Sequence, residues 1–141
     1  MTNSARAREY APVLLRFGLV ALFLWFGLSQ LTNPGGWISW LPNWTQTLPI
    51  PGTTLVLLNG GFETVFGLVL AAGKWTRIVA GLLSLHLFFI AYEIGYNDIG
   101  VRDFCLAIAT ASTALYGGDR CTLDARSGRP NASAFHTPVS E

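Results

Sequence analysis

The chain has 141 residues, of which 51% are hydrophobic and only 12% charged, with a formal net charge of +1. That charged share is about half of what a soluble domain carries, and no charge at all occurs between Ser29 and Phe62. The balance argues against a nucleic-acid surface, and the length suits one compact domain.

The first apolar run, "APVLLRFGLVALFLWFGLSQL", spans 11–31 and holds one charge, Arg16. A helix needs about twenty apolar residues to cross roughly 30 Å of hydrocarbon, so the run reads as a span. Arg6 and Arg8 precede it, as basic residues precede a secretory signal. The stretch is longer than the roughly 7–15 residues of a signal core, and no A-x-A site follows. At 100° per residue, Arg16, Val20, Phe23, Gly27 and Gln30 lie within about 40° of one line. They form a seam from a cation at one end to an amide at the other.

A long connection, 32–52, follows: "TNPGGWISWLPNWTQTLPIPG". Trp37, Trp40 and Trp44 are spaced so that one helical turn would align them, although Pro42 interrupts such a turn. Indole rings favour the headgroup level. The loop therefore reads either as an interfacial anchor or as a lid over a lipid-facing site.

The second run, 53–73, contains Glu63, with Asn59 one turn earlier on the same face. The third, 76–96, opens with Arg77, contains His86, and carries Glu93 two turns further along the same face. The fourth, 101–117, opens with Arg102 and Asp103 and is the shortest and least apolar. Backbone groups in lipid must be satisfied internally, so only helices and closed barrels span. These runs lack the alternation of barrel strands. With short second and third connections, the expected fold is all-α, a transmembrane antiparallel four-helix bundle. It forms a membrane domain over 1–118, followed by a polar, loosely ordered cytoplasmic tail over 119–141.

Lys and Arg set the orientation. Arg6, Arg8, Arg16, Lys74, Arg77, Arg120, Arg126 and Arg129 fall on one side and Arg102 alone on the other. The positive-inside rule then predicts cytoplasmic termini, outward-facing 32–52 and 97–100 segments, and a multi-pass protein of the inner (cytoplasmic) membrane.

An ionisable group at mid-membrane costs about 2.5–3.5 kcal/mol on insertion scales and usually faces a partner inside the bundle. Depth matching predicts two polar clusters. The inner one is Arg16, Glu63 and His86. The outer one is Glu93, Arg102 and Asp103, with Gln30 and Asn59 nearby. Either cluster serves helix register, as interhelical polar contacts do at about 0.6 kcal/mol each, or it marks a ligand or proton site. Ala107 with Ala111, Thr110 with Ala114, and Ala80 with Ser84 form small-xxx-small pairs that suit close packing. Cys105 and Cys121 are too far apart for a disulfide if the second lies beyond the fourth helix. Both read as inert small residues, and no metal spacing occurs.

Three segments together resemble the DoxX family. "LLRFGLVALFLWFGLSQL" is similar to its opening helix, with an Arg one turn in and a polar residue near the outer end. "FETVFGLVLAAGKWTR" is similar to its second helix and basic turn, and "VRDFCLAIATASTALYGG" to its fourth helix, opening on Arg-Asp and closing on a Gly pair. The resemblance covers about residues 14 to 118. It implies a four-helix membrane protein whose characteristic polar residues are Arg16, Gln30, Glu63, Arg102 and Asp103. Many relatives have a Lys at the position of Gln30, which removes a cation here. The resemblance also implies an accessory or anchoring subunit of a membrane-associated oxidoreductase system, in contact with quinone.

The chain carries no haem pair, flavin motif, nucleophile–base pair or phosphate loop of its own. Any redox chemistry would come from a partner subunit or from quinone, and whether the chain belongs to an enzyme stays open. The alternative is a small-solute or lipid transporter or binding protein that uses the polar clusters. Inverted repeats would favour transport, and the two helix pairs show little such symmetry. Expected partners are membrane lipid, an oxidoreductase subunit and, as an open possibility, a second copy of the chain.

Overall fold

The computed structural model describes residues 3–127, and all its regular elements are helical. The four long helices are α1 (Asn3–Thr32), α2 (Gly52–Ala72), α3 (Thr76–Ile94) and α4 (Asp98–Tyr116), followed by a short α5 (Leu123–Ser127). Residues 128–141, with Arg129, lie outside the described residues, as do the side chains of Arg6 and Arg126. By length and composition, α2, α3 and the Ala7–Thr32 part of α1 can each cross a membrane. The fourth long helix is not in that set, and it carries Asp98, Arg102 and Asp103 in its first two turns.

The helices pack as two antiparallel pairs, α1 on α2 and α3 on α4, with smaller contacts between the pairs. The α1–α2 crossing is set by glycines on different helices. A Cβ on Gly27 would come within 2.9 Å of the Gly60 carbonyl oxygen and 2.8 Å of the Thr64 amide nitrogen, and one on Gly60 within 2.8 Å of the Gly27 carbonyl oxygen. Only hydrogen fits at either position, so the backbones come close, which is how membrane helices gain packing energy. In the other pair, Ala80, Ser84 and Ala107 are buried, and the Ser84 hydroxyl donates to the Ala107 carbonyl at 2.9 Å. Leu19, Phe23, Leu70, Leu83 and Ala107, contributed by all four long helices, make a common core.

The outside of this core is apolar. Leu14, Trp25, Leu58, Val65, Ile78, Leu85, Tyr92 and Leu115 are all more than half exposed. In water such a surface would drive aggregation. In hydrocarbon it is the solvent-facing surface, because lipid removes any gain from burying it.

The helix ends differ from expectation for local reasons. The first helix starts at Asn3, not near residue 11, because charge keeps residues out of lipid without keeping them out of a helix. Glu9 anchors this extension to Arg120 at 2.8 Å, and the Arg120 guanidinium lies over the Tyr10 ring. At its far end α3 stops at Ile94, where Gly95 takes φ 80°. The Asn97 side chain then caps α4 by accepting from the amides of Ile99 and Gly100, a standard N-cap role. Two 3-10 segments, Pro34–Trp40 and Asn43–Thr47, build the long connection, and Pro42 separates Trp40 from Trp44.

The expectation of a loosely ordered tail fails for residues 118–127. Asp119 and Thr122 are buried, and Gly73, at φ 67°, packs directly on Thr122. Asp124 accepts from the amides of Trp75 (2.9 Å) and Thr76 (2.7 Å). It thereby caps α3, whose preceding residue Trp75 sits at a positive φ of 51° and makes no side-chain cap of its own. Burial pushes the Asp124 carboxyl upward, but those two amides and the Lys74 charge outweigh it and hold it below its ordinary 3.8. Both cysteines are exposed, not buried: Cys105 lies on the lipid-type face of α4 beside Phe104 and Ile108, and Cys121 in the clasping segment.

Candidate functional site

The expected inner cluster is divided. Arg16 is fully buried, but its Nε donates to Asp119 Oδ2 at 2.7 Å and its Nη1 to the carbonyls of Leu70 (2.9 Å) and Ala71 (2.8 Å). It does not pair with Glu63. A nearer carboxylate and the carbonyls of the last turn of α2 meet its fork-shaped donor set at its own depth. Asp119 was missed because the composition after Gly118 reads as a solvated tail. The available signal was an acidic residue directly after the Gly pair, at the same level as Arg16.

Glu63 and His86 do meet. His86 Nε2 lies 3.2 Å from Glu63 Oε1, and the Phe62 ring packs at a tilt against the imidazole, 4.8 Å between centroids. Gln30 and Asn59, expected in the outer cluster, belong with this pair. Gln30 Nε2 donates to Glu63 Oε2 at 3.2 Å, and Asn59 Nδ2 donates to Glu63 Oε1 at 3.1 Å and to Gln30 Oε1 at 2.7 Å. The regrouping follows from the Gly27–Gly60 approach, which brings Gln30 onto α2. With 3% exposure, the Glu63 carboxylate has three donors around it, as a buried charge requires.

The remaining outer residues split into two contacts. Arg102 Nε donates to Asp103 Oδ1 at 2.9 Å, and its guanidinium lies 5.7 Å from the Phe26 ring centroid. Glu93 accepts from the Trp44 indole at 3.2 Å, so a loop tryptophan reaches a carboxylate on α3. Trp37 donates to Ser29 Oγ at 3.1 Å and packs edge-on against Phe26. Sequence reasoning missed both indole partners.

Glu63, His86, Gln30, Asn59, Arg102, Asp103, Glu93, Phe26, Trp37 and Trp44 line one cavity of about 580 Å³ between the two helix pairs. Its floor is Glu63, His86, Asn59 and Gln30. Leu22, Phe23, Val56 and Ile90 are among its walls, and the segment from Trp37 to Thr45 lies over it. That size, with apolar walls and a few convergent polar groups, is typical of small-molecule sites. Below the floor, the Leu19, Leu70 and Leu83 core and the Arg16–Asp119 pair fill the other half of the molecule. Among the described residues no group of three or more His, Cys, Asp or Glu could hold a metal ion.

A family model, DoxX, matches residues 11–94. The match takes in the apolar part of α1, the tryptophan-bearing connection, α2 and α3, and stops before the fourth-helix stretch that resembles the same family. No curated protein and no solved structure matches.

Proposed function

The chain belongs to the DoxX family, and with its apolar helices it is an integral membrane protein; from this premise we propose a multi-pass protein of the inner membrane that holds an amphipathic ligand as the accessory subunit of a membrane oxidoreductase. In this reading α4 is the fourth span of an antiparallel bundle, its polar start covered by Asp103 burial and the Arg102 pair. The end carrying Lys74, Arg77 and Arg120 is cytoplasmic, as are both termini, and the tryptophan-rich end faces outward.

The observation that carries the proposal is the polarity of the cavity: aromatic and aliphatic walls above a hydrogen-bonding floor of Glu63 and His86. A quinone fits that arrangement, with a flat ring between apolar walls and an isoprenoid tail leading to lipid. The half-exposed Arg102 is the donor best placed for its carbonyl oxygens. Arginine has five N–H groups, and the Asp103 contacts use its Nε and Nη2. The quinone would supply the electron carrying that no residue of this chain supplies. The packed basic half favours binding from one side over transport through the molecule.

Isolation from native membranes in mild detergent tests the proposal. Copurification with a redox subunit, with extractable quinone reduced in Glu63→Gln and Arg102→Ala, is the expected result. A protein that purifies alone, without quinone and without affinity for a short-chain analogue, overturns it.

A further inference from the structure

The cavity is not electrically balanced. Three carboxylates line it, Glu63, Glu93 and Asp103, against one guanidinium, Arg102, which lies on Asp103. Arg16, the cation at hand for Glu63 by sequence, is fully buried against Asp119 instead. Glu63 is therefore surrounded by neutral amides and by an imidazole that is charged only when protonated. Hydrogen bonds from neutral donors satisfy its lone pairs, but they leave its charge uncancelled in a low-dielectric setting, where charge interactions are strong. Glu93, at the outer edge, has an indole N–H from Trp44.

The walls complement the same charge. Trp37, Trp40, Trp44, Phe26 and Phe89 line the same cavity as these carboxylates, and the negative faces of aromatic rings attract cations. One wall already does so, because the Arg102 guanidinium lies over Phe26. A hard metal ion is a poor occupant, since the carboxylates are not grouped to coordinate one and the walls offer few oxygens.

We infer that this cavity binds a lipophilic organic cation, an ammonium- or phosphonium-like centre ringed by apolar groups, seated over Glu63 with its positive charge facing the tryptophan wall. The inference rests on the cavity being a ligand site, as proposed above, and is independent of quinone and of any redox partner.

The test uses the full chain in nanodiscs of zwitterionic lipid, with tryptophan fluorescence as readout and empty nanodiscs as the blank. Tetraphenylphosphonium and tetraphenylborate share one shape and carry opposite charge. Saturable phosphonium binding about tenfold or more tighter than borate is expected, weakened about tenfold by Glu63→Gln and by a smaller factor by Glu93→Gln. Equal binding of the two ions, or no saturable phosphonium binding, overturns the inference. So does unchanged phosphonium affinity in Glu63→Gln. Should that variant not fold, unchanged affinity in Glu93→Gln decides against it. A short-chain ubiquinone analogue in the same format separates the two readings. Quinone without phosphonium binding removes the cation inference alone, and phosphonium without quinone binding removes the quinone reading alone.

Discussion

Glu63 Oε1 stands 3.2 Å from His86 Nε2 and so ties the α1–α2 pair to the α3–α4 pair at the lining of the cavity between them. A double-mutant cycle of Glu63→Gln and His86→Phe, read from unfolding in mixed micelles, should give a coupling of about 0.6–1.7 kcal/mol, the range for polar pairs between membrane helices. Additive effects would mean that the contact does not hold the two pairs together.

Arg16 and Asp119 should be the costliest polar residues to lose singly. Each buries its partner, and breaking a buried pair costs about 3–5 kcal/mol. Arg16→Gln and Asp119→Asn should each lower thermal stability sharply in detergent. The double variant should lose far less than the sum of the two. Arg16→Lys should not rescue, because one ammonium cannot serve Asp119 and both α2 carbonyls together.

Gly27→Ala should destabilise the protein by about 1–3 kcal/mol, the usual cost of overpacking, because the added carbon meets backbone of α2. Gly61→Ala, with nothing within 4 Å of the new Cβ, should be neutral or gain up to about 1 kcal/mol from helix propensity. Equal melting shifts for the two would contradict the close crossing.

Asp124 gives a pH signature. Its folded pKa lies below 3.8, so the stability it contributes is complete above that value and is lost as pH falls through the lower, folded pKa. Asp124→Asn should flatten the acid limb of a stability–pH profile. Asp124→Ala should cost about 1 kcal/mol at neutral pH, as the loss of a helix cap does.

Accessibility to a membrane-impermeant maleimide reports the orientation. In a Cys105→Ser background, Cys121, which is exposed, should label only after the inner face is opened. Asn43→Cys, with Cys121 also replaced by Ser, should label in intact cells. The reverse pattern would invert the topology.

What could be read from the residues was what depends on depth and period. Apolar runs against lipid have one solution, so α2 and α3 lie within two residues of their expected bounds. Depth alone placed Glu63 level with His86. The partner of Arg16 was hidden for a different reason: pairing by depth assumed that the counter-ion had to come from another apolar run, while Asp119 folds back from beyond the fourth long helix. The Gly27–Gly60 approach was equally invisible, since small-residue spacing is counted along one helix and this pair belongs to two. Once that approach is known, the move of Gln30 onto Glu63 follows from it.

The Arg16–Asp119 pair also orders events at the ribosome. Asp119 is translated 103 residues after Arg16, when all four long helices have been synthesised. Until then the guanidinium has the α2 carbonyls of Leu70 and Ala71 and whatever headgroups its long stem reaches. A chain that stops short of Asp119 therefore lacks the carboxylate that holds the buried guanidinium.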